Sequence, residues 1–308
     1  GGNRMIELLS RTILMGTPLL YGSLSEVYAE RSGVMNTAIE GIFLIGAWAG
    51  FVAAYQTGGN LLVGMFAAMV AGVITAALYG WICVYLKQHQ IVTGVAINLL
   101  ALGFCAFFQR VIFGVPVTPL IVEPLQPIAI PFLSDIPLLG PILFEQNILT
   151  YLLYVLVPLG SFMLYRTSLG LSIRSIGENP EAGDVAGIRV DRLRFLTILF
   201  AGVMCGIGGA FYSIGYLGMF TTTIIGGRGW IAFAICFLGN WKPYGVLAGT
   251  LVFGLAEAVA IFMQSSGASL FPNELFIALP YILTIVLTVA RRSFNVPAEL
   301  GVPYRKEG

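Results

Sequence analysis

Long apolar runs broken by short polar connections organise this chain, and their length sets the first expectation. A helix needs about 20 apolar residues to cross a bilayer. Nine runs approach that length: 12–29, 37–56, 61–86, 91–109, 148–166, 195–217, 219–239, 243–264 and 275–290. Each is expected to be helical, because hydrocarbon offers open backbone no partner. The connections alternate in character. Lys87 follows the third run, the basic stretch 166–194 the fifth, Lys242 the seventh, and Arg291, Arg292, Arg305 and Lys306 the ninth. The excess of Lys and Arg in cytoplasmic loops assigns these to the inside, and QTGGN, 110–147 and 265–274 to the outside. An outer N-terminus follows, against Arg4 and Arg11, so nine crossings are expected, with ten as the rival count.

Composition narrows the class. Charged residues are 10% of the 308 positions and apolar residues 57%, against about a quarter charged in an ordinary soluble protein. One all-α integral membrane domain over 1–308 is expected, in the cytoplasmic membrane. A net charge of +1 supplies no field to recruit nucleic acid. Cys83, Cys105, Cys205 and Cys236 lie singly in apolar runs, and His89 is the one histidine, so no metal site is expected. GGNRMIELLSRTILMG starts like a signal peptide but lacks a small-residue cleavage site. No P-loop is present, nor a nucleophile beside a base. Neither a catalytic residue nor a cofactor on this chain is expected.

The runs also repeat. GN pairs at 59–60 and 239–240 each precede a long glycine-punctuated run, and the charge pattern sends the first inward and the second outward. Residues 12–109 and 195–290 therefore read as two inverted four-helix halves. Between them lie an outer loop (110–147), a linking helix (148–166) and a cytoplasmic loop (167–194), with a tail at 291–308. Each half contains a broken run, SEVYAERSGVMNTAIEG (25–41) and TTTIIGGRGW (221–230). Breaks at matching positions point to a transport site, since unwound backbone and helix ends can face a cavity.

A charge at the bilayer centre costs about 2.5–3.5 kcal/mol on insertion scales. Glu26, Glu30 and Arg31 are therefore expected to neutralise one another in a structural salt bridge. Asn36 and Glu40, four apart, are expected on one helix face, turned to a pathway or to packing. Glu257 has no basic residue within a turn and needs a partner from another helix or a watery cavity, while Asn98 suits a bridge between helices. Phe104, Tyr212 and Trp230 are candidates to stack on a planar substrate. Gly202, Gly206 and Ala210, at four-residue spacing, predict a close helix seam. The seven prolines of 110–147 predict a stiff, extended outer lid.

The charged stretch IGENPEAGDVAGIRVDRLR (176–194) stands apart. Asn179 suits an N-cap, Pro180 the first helical position, Glu181 and Asp184 the N-terminal end, and Gly187 a left-handed close. A helix of about seven residues is unstable alone, so it is held against its own bundle or docked into a soluble partner.

Three stretches, ERSGVMNTAIEGIFLIGAWAG, SIGENPEAGDVAGIRVDRLRFLTILFAGVMCGIGGAF and GGRGWIAFAICFLGNWKPYGVLAGTLVFGLAEA, resemble the membrane permeases of bacterial ABC importers. These serve ribose-type sugars, branched-chain amino acids and nucleosides, and the simple-sugar and nucleoside branch is the nearest. The resemblance implies that Glu178, Asn179, Pro180, Glu181, Ala182, Asp184 and Gly187 form a coupling helix seated in an ATPase subunit, which binds the ATP and Mg. It also implies an external solute-binding lipoprotein and a second, often unlike, permease. The implied cargo is a nucleoside or related small polar solute. Many relatives carry an extra helix ahead of the first run. A ribose-type sugar permease, or a self-sufficient ion-coupled carrier with Glu257 or Glu40 as its ion site, is the alternative.

Overall fold

The computed structural model describes residues 2–265, 273–290 and 293–305. Arg291, Arg292, Lys306 and most of the 265–274 connection lie outside the described residues. Four helices open the chain: α1 (Gly2–Arg31), α2 (Ile39–Gln56), α3 (Leu61–Gly80) and α4 (Gln90–Phe113). The middle holds α5 (Leu139–Leu143), α6 (Ile148–Arg166), α7 (Ser168–Glu178) and α8 (Pro180–Val185). The last part holds α9 (Val190–Ala210), α10 (Arg228–Leu238), α11 (Pro243–Ser265) and α12 (Asn273–Ala290). Helices α3 and α9 run on through π-helical turns at Trp81–Tyr85 and Phe211–Leu217. Six helices of the described residues are long and apolar enough to cross a membrane: α2, α3 with its extension, α4, α6, α9 with its extension, and α11.

Local chemistry sets the helix ends. Asn60 Oδ1 accepts from the amides of Leu62 and Val63 at 3.1 and 3.2 Å, so the first GN pair caps α3. Asn147 caps α6 in the same way through the Thr150 amide, at 3.0 Å. Gly114, at φ +67°, closes α4 where a side chain would be strained.

Two helix lengths depart from expectation. The first run was expected over 12–29, but α1 extends back to Gly2, with Arg11 and Glu7 paired at 2.9 Å along its polar start. The seventh run, expected over 219–239, is helical only over Arg228–Leu238. Gly218, Gly226 and Gly227 ahead of it sit at φ +69°, +58° and +86°, and consecutive left-handed residues cannot continue a right-handed helix. The break, expected over 221–230, therefore lies at 218–227, three residues earlier.

Helices α3 and α9 pack closely, and so do α1 and α11. Glycines make both contacts possible. A Cβ on Gly202 would lie 2.6 Å from that of Ala76, and one on Gly16 would lie 3.0 Å from the Thr250 methyl. The α9 span is 72% buried against 22% for α4, so α9 is the central post and α4 a peripheral stave.

Polar groups gather at one end of the bundle, where Lys87 Nζ meets Asp191 at 2.5 Å. The opposite end carries the proline-rich segment, which has no long helix. Its strands β1 (Ile128–Ala129) and β2 (Glu145–Gln146) pair antiparallel. The Val122 amide donates to the Gly218 carbonyl at 2.8 Å, and that of Leu125 to Ile214 at 3.1 Å. The proline-rich segment is therefore tied to the start of the second break.

Candidate functional site

The two breaks meet inside the molecule. Glu40, in the first turn of α2, accepts from the amides of Gly227 and Gly229 at 2.8 and 2.7 Å. These amides open α10, so a carboxylate of α2 caps α10 and meets its positive end. Gly229 permits the approach: a Cβ there would lie 2.6 Å from Glu40 Oε2. Asn98 of α4 holds the other side of Glu40. Its Oδ1 accepts from the Gly41 amide at 2.8 Å and its Nδ2 donates to the Thr37 carbonyl at 2.9 Å. That satisfies backbone left open by the first break, the bridging role expected of it.

Glu257 finds its partner on another helix. Arg228 Nε and Nη2 both donate to its Oε1, at 2.7 and 2.5 Å. Arg228 Nη1 also donates to the Ile225 carbonyl at 3.2 Å, at the inner edge of the break. The guanidinium lies over the Tyr212 ring, 5.3 Å from its centroid, a cation–π contact. Tyr281 of α12 donates to the Gly226 carbonyl at 2.8 Å. A cavity of about 330 Å3 opens beside this cluster, lined by Arg228, Glu257, Gln264 and Tyr281 among others.

The structure brings Glu40, Asn98, Tyr212 and Glu257 into one neighbourhood, where the Trp230 backbone also bonds Glu40, while the side chains of the other pathway candidates turn elsewhere. Trp230 stands 38% exposed and packs edge-on against Phe233. Phe104 packs on Trp48 and Phe108, with centroids 5.4 and 4.5 Å apart. Asn36 does not share a helix face with Glu40, because α2 restarts only at Ile39. Instead it is fully buried and turns back to donate to Glu26 Oε1 at 2.8 Å.

Among the described residues, Glu26, Glu30 and Arg31 do not form the salt bridge expected of them, and Arg31 pairs elsewhere. Glu30 accepts from the Trp241 indole, and Arg31 donates to the Trp241 and Asn240 carbonyls at 3.2 and 3.4 Å. Arg31 also lies 3.8 Å from Glu178. Neighbours in sequence project in different directions from a helix, and these two meet the turn that follows α10 rather than each other.

At the polar end, Asn179 caps α8 through the Ala182 amide at 2.9 Å, with Pro180 in the first turn. The helix has six residues, against about seven expected. Gly187 closes it at φ +87°. Pro180 and Gly183 are buried, over a small cluster of Ile176, Val190 and Tyr304. Asn179, Glu181, Ala182 and Gly187 are exposed, and Val185 is 91% exposed. Asp184 is half-buried. Glu178 is held by its own chain, accepting from the Ala298 amide at 3.3 Å. The α8 underside is thus packed on the bundle and its upper face is open.

Sequence reasoning missed Arg194, which looks like one more basic residue of a cytoplasmic loop. It is 2% exposed. Its Nε donates to the Ser32 carbonyl and its Nη1 to that of Val302, both at 2.9 Å, and its Nη2 to that of Ile176 at 3.4 Å. One side chain therefore joins the first break, the segment leading into α8 and the C-terminal strap. The strap adds bonds from the Glu299 amide to Gly177 at 2.9 Å and from the Gly301 amide to Gly33 at 3.0 Å. The DRLR spacing gives no sign of this inward turn.

Residues 8–288 match the family described as branched-chain amino acid transport system / permease component. The chain is 37% identical to the guanosine ABC transporter permease protein NupQ of Bacillus subtilis, over 98% of each chain. It is 35% identical to TsgC13 of Haloferax volcanii, a permease protein assigned to glucose ABC transport, over 86% of this chain and 80% of that one. A solved ABC transporter chain, described as of metal-chelate type and inward-facing, superposes with a TM-score of 0.50 at 17% identity, covering 94% of this chain and 86% of the other. At that identity the likeness concerns the fold alone. These likenesses make the chain a multi-pass membrane permease component and not an enzyme. It belongs to the branched-chain amino acid transport system / permease component family of ABC transporters.

Proposed function

We infer that this permease imports a nucleoside or a related small polar solute, in a complex with an ATPase that binds ATP and Mg, a second permease subunit and an external solute-binding lipoprotein. The guanosine permease similar over 98% of both chains favours the nucleoside. The glucose-assigned relative makes a simple sugar the second reading.

Residues 12–109 and 195–290 act as two inverted halves. Matching seams support this: α1 lies on α11 as α9 lies on α3, each through a glycine contact. The interlocked breaks around Glu40, Arg228 and Glu257 form the moving centre of the pathway. The observation that carries the reading is α8, capped at both ends, packed below and bare above. Its exposed residues Asn179, Glu181, Ala182, Val185 and Gly187 dock into the ATPase. ATP binding there displaces α8, and the Arg194 junction passes the displacement to the first break.

Reconstitution tests this. The complex co-purified with this chain should take up guanosine in liposomes only with ATP and the binding protein. A double substitution, Glu181→Arg with Gly187→Pro, should abolish uptake without preventing membrane insertion. Gradient-driven uptake by this chain alone, with no ATPase, would replace the reading with the ion-coupled carrier.

A further inference from the structure

The cavity beside α10 joins features that a structural ion pair does not require. Arg228 begins α10, ten residues from its other end, or about 15 Å at the helical rise. Glu257 is the fifteenth residue of α11, about 21 Å along it. Both lie within apolar runs of about membrane-spanning length, 219–239 and 243–264. Yet the Arg228 side chain is 32% exposed. A guanidinium open within such a run faces water or a ligand, since lipid penalises it heavily.

The pair is also incompletely used. Both bonds from Arg228 fall on Glu257 Oε1, so Oε2 takes none of them. The buried hydroxyl of Tyr212, beneath the guanidinium, has no hydrogen-bond partner among the described residues. Gln264, two turns beyond Glu257 on the same side of α11, adds an amide to the lining, and Tyr281 adds a ring. The volume of about 330 Å3 is at the small end for small-molecule sites.

The charges of Arg228 and Glu257 cancel, which suits a neutral solute better than an ion. A carboxylate beside a guanidinium offers adjacent acceptors and donors in one plane. That matches a ring edge carrying N–H groups next to a carbonyl. Arginine pairs with the carbonyl and ring nitrogen of guanine in this way, and aromatic side chains stack on a base face whatever its edge.

We propose that this cavity is the intramembrane subsite for the base of an oxopurine nucleoside: Glu257 Oε2 accepts from the ring and exocyclic N–H groups, Arg228 donates to the base carbonyl, and Tyr281 stacks on the ring. This rests on the nucleoside reading above and adds the chemistry that selects among nucleosides. Inosine has the same carbonyl as guanosine and lacks the exocyclic amine, so Glu257 sets the preference between them.

The test uses the assembled transporter in liposomes, with guanosine, inosine and glucose as probes. Glu257→Gln, which keeps the shape and removes one acceptor, should lower the guanosine-to-inosine preference about five- to tenfold. Should that variant fail to accumulate, Gln264→Ala and Tyr281→Leu, the second of which removes the stacking ring, leave the ion pair intact and should raise the guanosine KM at least about fivefold with little change in kcat. Nucleoside uptake with an unchanged preference and KM in the accumulating variants would overturn the subsite and leave the nucleoside reading standing. Glucose uptake with no nucleoside uptake by the unaltered transporter would overturn both.

Discussion

Replacing Arg194 with Met keeps most of the apolar stem and removes every donor. Its two bonds at 2.9 Å join the Ser32 and Val302 carbonyls. Bonds from a charged group contribute about 1.5–3 kcal/mol each, so about 3–6 kcal/mol of interaction is lost. The third bond, at 3.4 Å, is too long to count fully. Burying a guanidinium carries a desolvation cost, and its removal offsets part of the loss. A net weakening of about 2 kcal/mol at the junction is expected, or about 30-fold in a local opening equilibrium. Amide hydrogen exchange reads this directly, because the Glu299 and Gly301 amides bond the segments that Arg194 clamps. Protection at those two amides should fall about 30-fold, while the α3–α9 seam keeps its own. In the assembled transporter, ATP hydrolysis should persist as uptake falls. Unchanged protection at Glu299 and Gly301, with normal uptake, would refute the role given to Arg194.

Other substitutions separate packing from function. Gly229→Ala drives a Cβ to 2.6 Å from Glu40 Oε2 and should cost about 1–3 kcal/mol, read as a lower unfolding temperature with loss of uptake. Asn98→Ala leaves the Gly41 amide and Thr37 carbonyl without a bond; about 1–3 kcal/mol of stability should go, with no change in substrate preference. Gly187→Val forces a branched side chain to φ +87° and should cost about 1–2 kcal/mol locally, detected as weaker retention of the ATPase on purification. Lys87→Ala removes a pair whose partner Asp191 is 37% exposed, and the unfolding temperature should move by less than about 1 kcal/mol implies.

Much of the architecture is legible because it is local. Asn179 caps the helix its position suggests, and Gly187 takes the left-handed close that ends α8. Both breaks fall where polar and glycine residues interrupt apolar runs. The second, expected over 221–230, falls at 218–227 instead, where three glycines ahead of α10 share positive φ. What stayed hidden is long-range pairing. Glu257 was recognisable as needing a partner, but Arg228 lies 29 positions away. Glu40 reaches an amide 187 positions on, and Arg194 a carbonyl 108 positions on. Spacing along the chain reports which face a residue occupies, not which distant element meets that face. Glu30 and Arg31 show the same limit, since adjacency suggested a pair and the Trp241 turn took both.

The central claim is that this permease receives its drive through the upper face of α8. All four cysteines are buried, so a single cysteine in place of Val185, which is 91% exposed, gives a clean handle. In the assembled, transport-competent complex, a short thiol cross-linker should join position 185 to the ATPase subunit and stop ATP-driven uptake. A complex that transports at full rate and yields no such adduct would contradict the account.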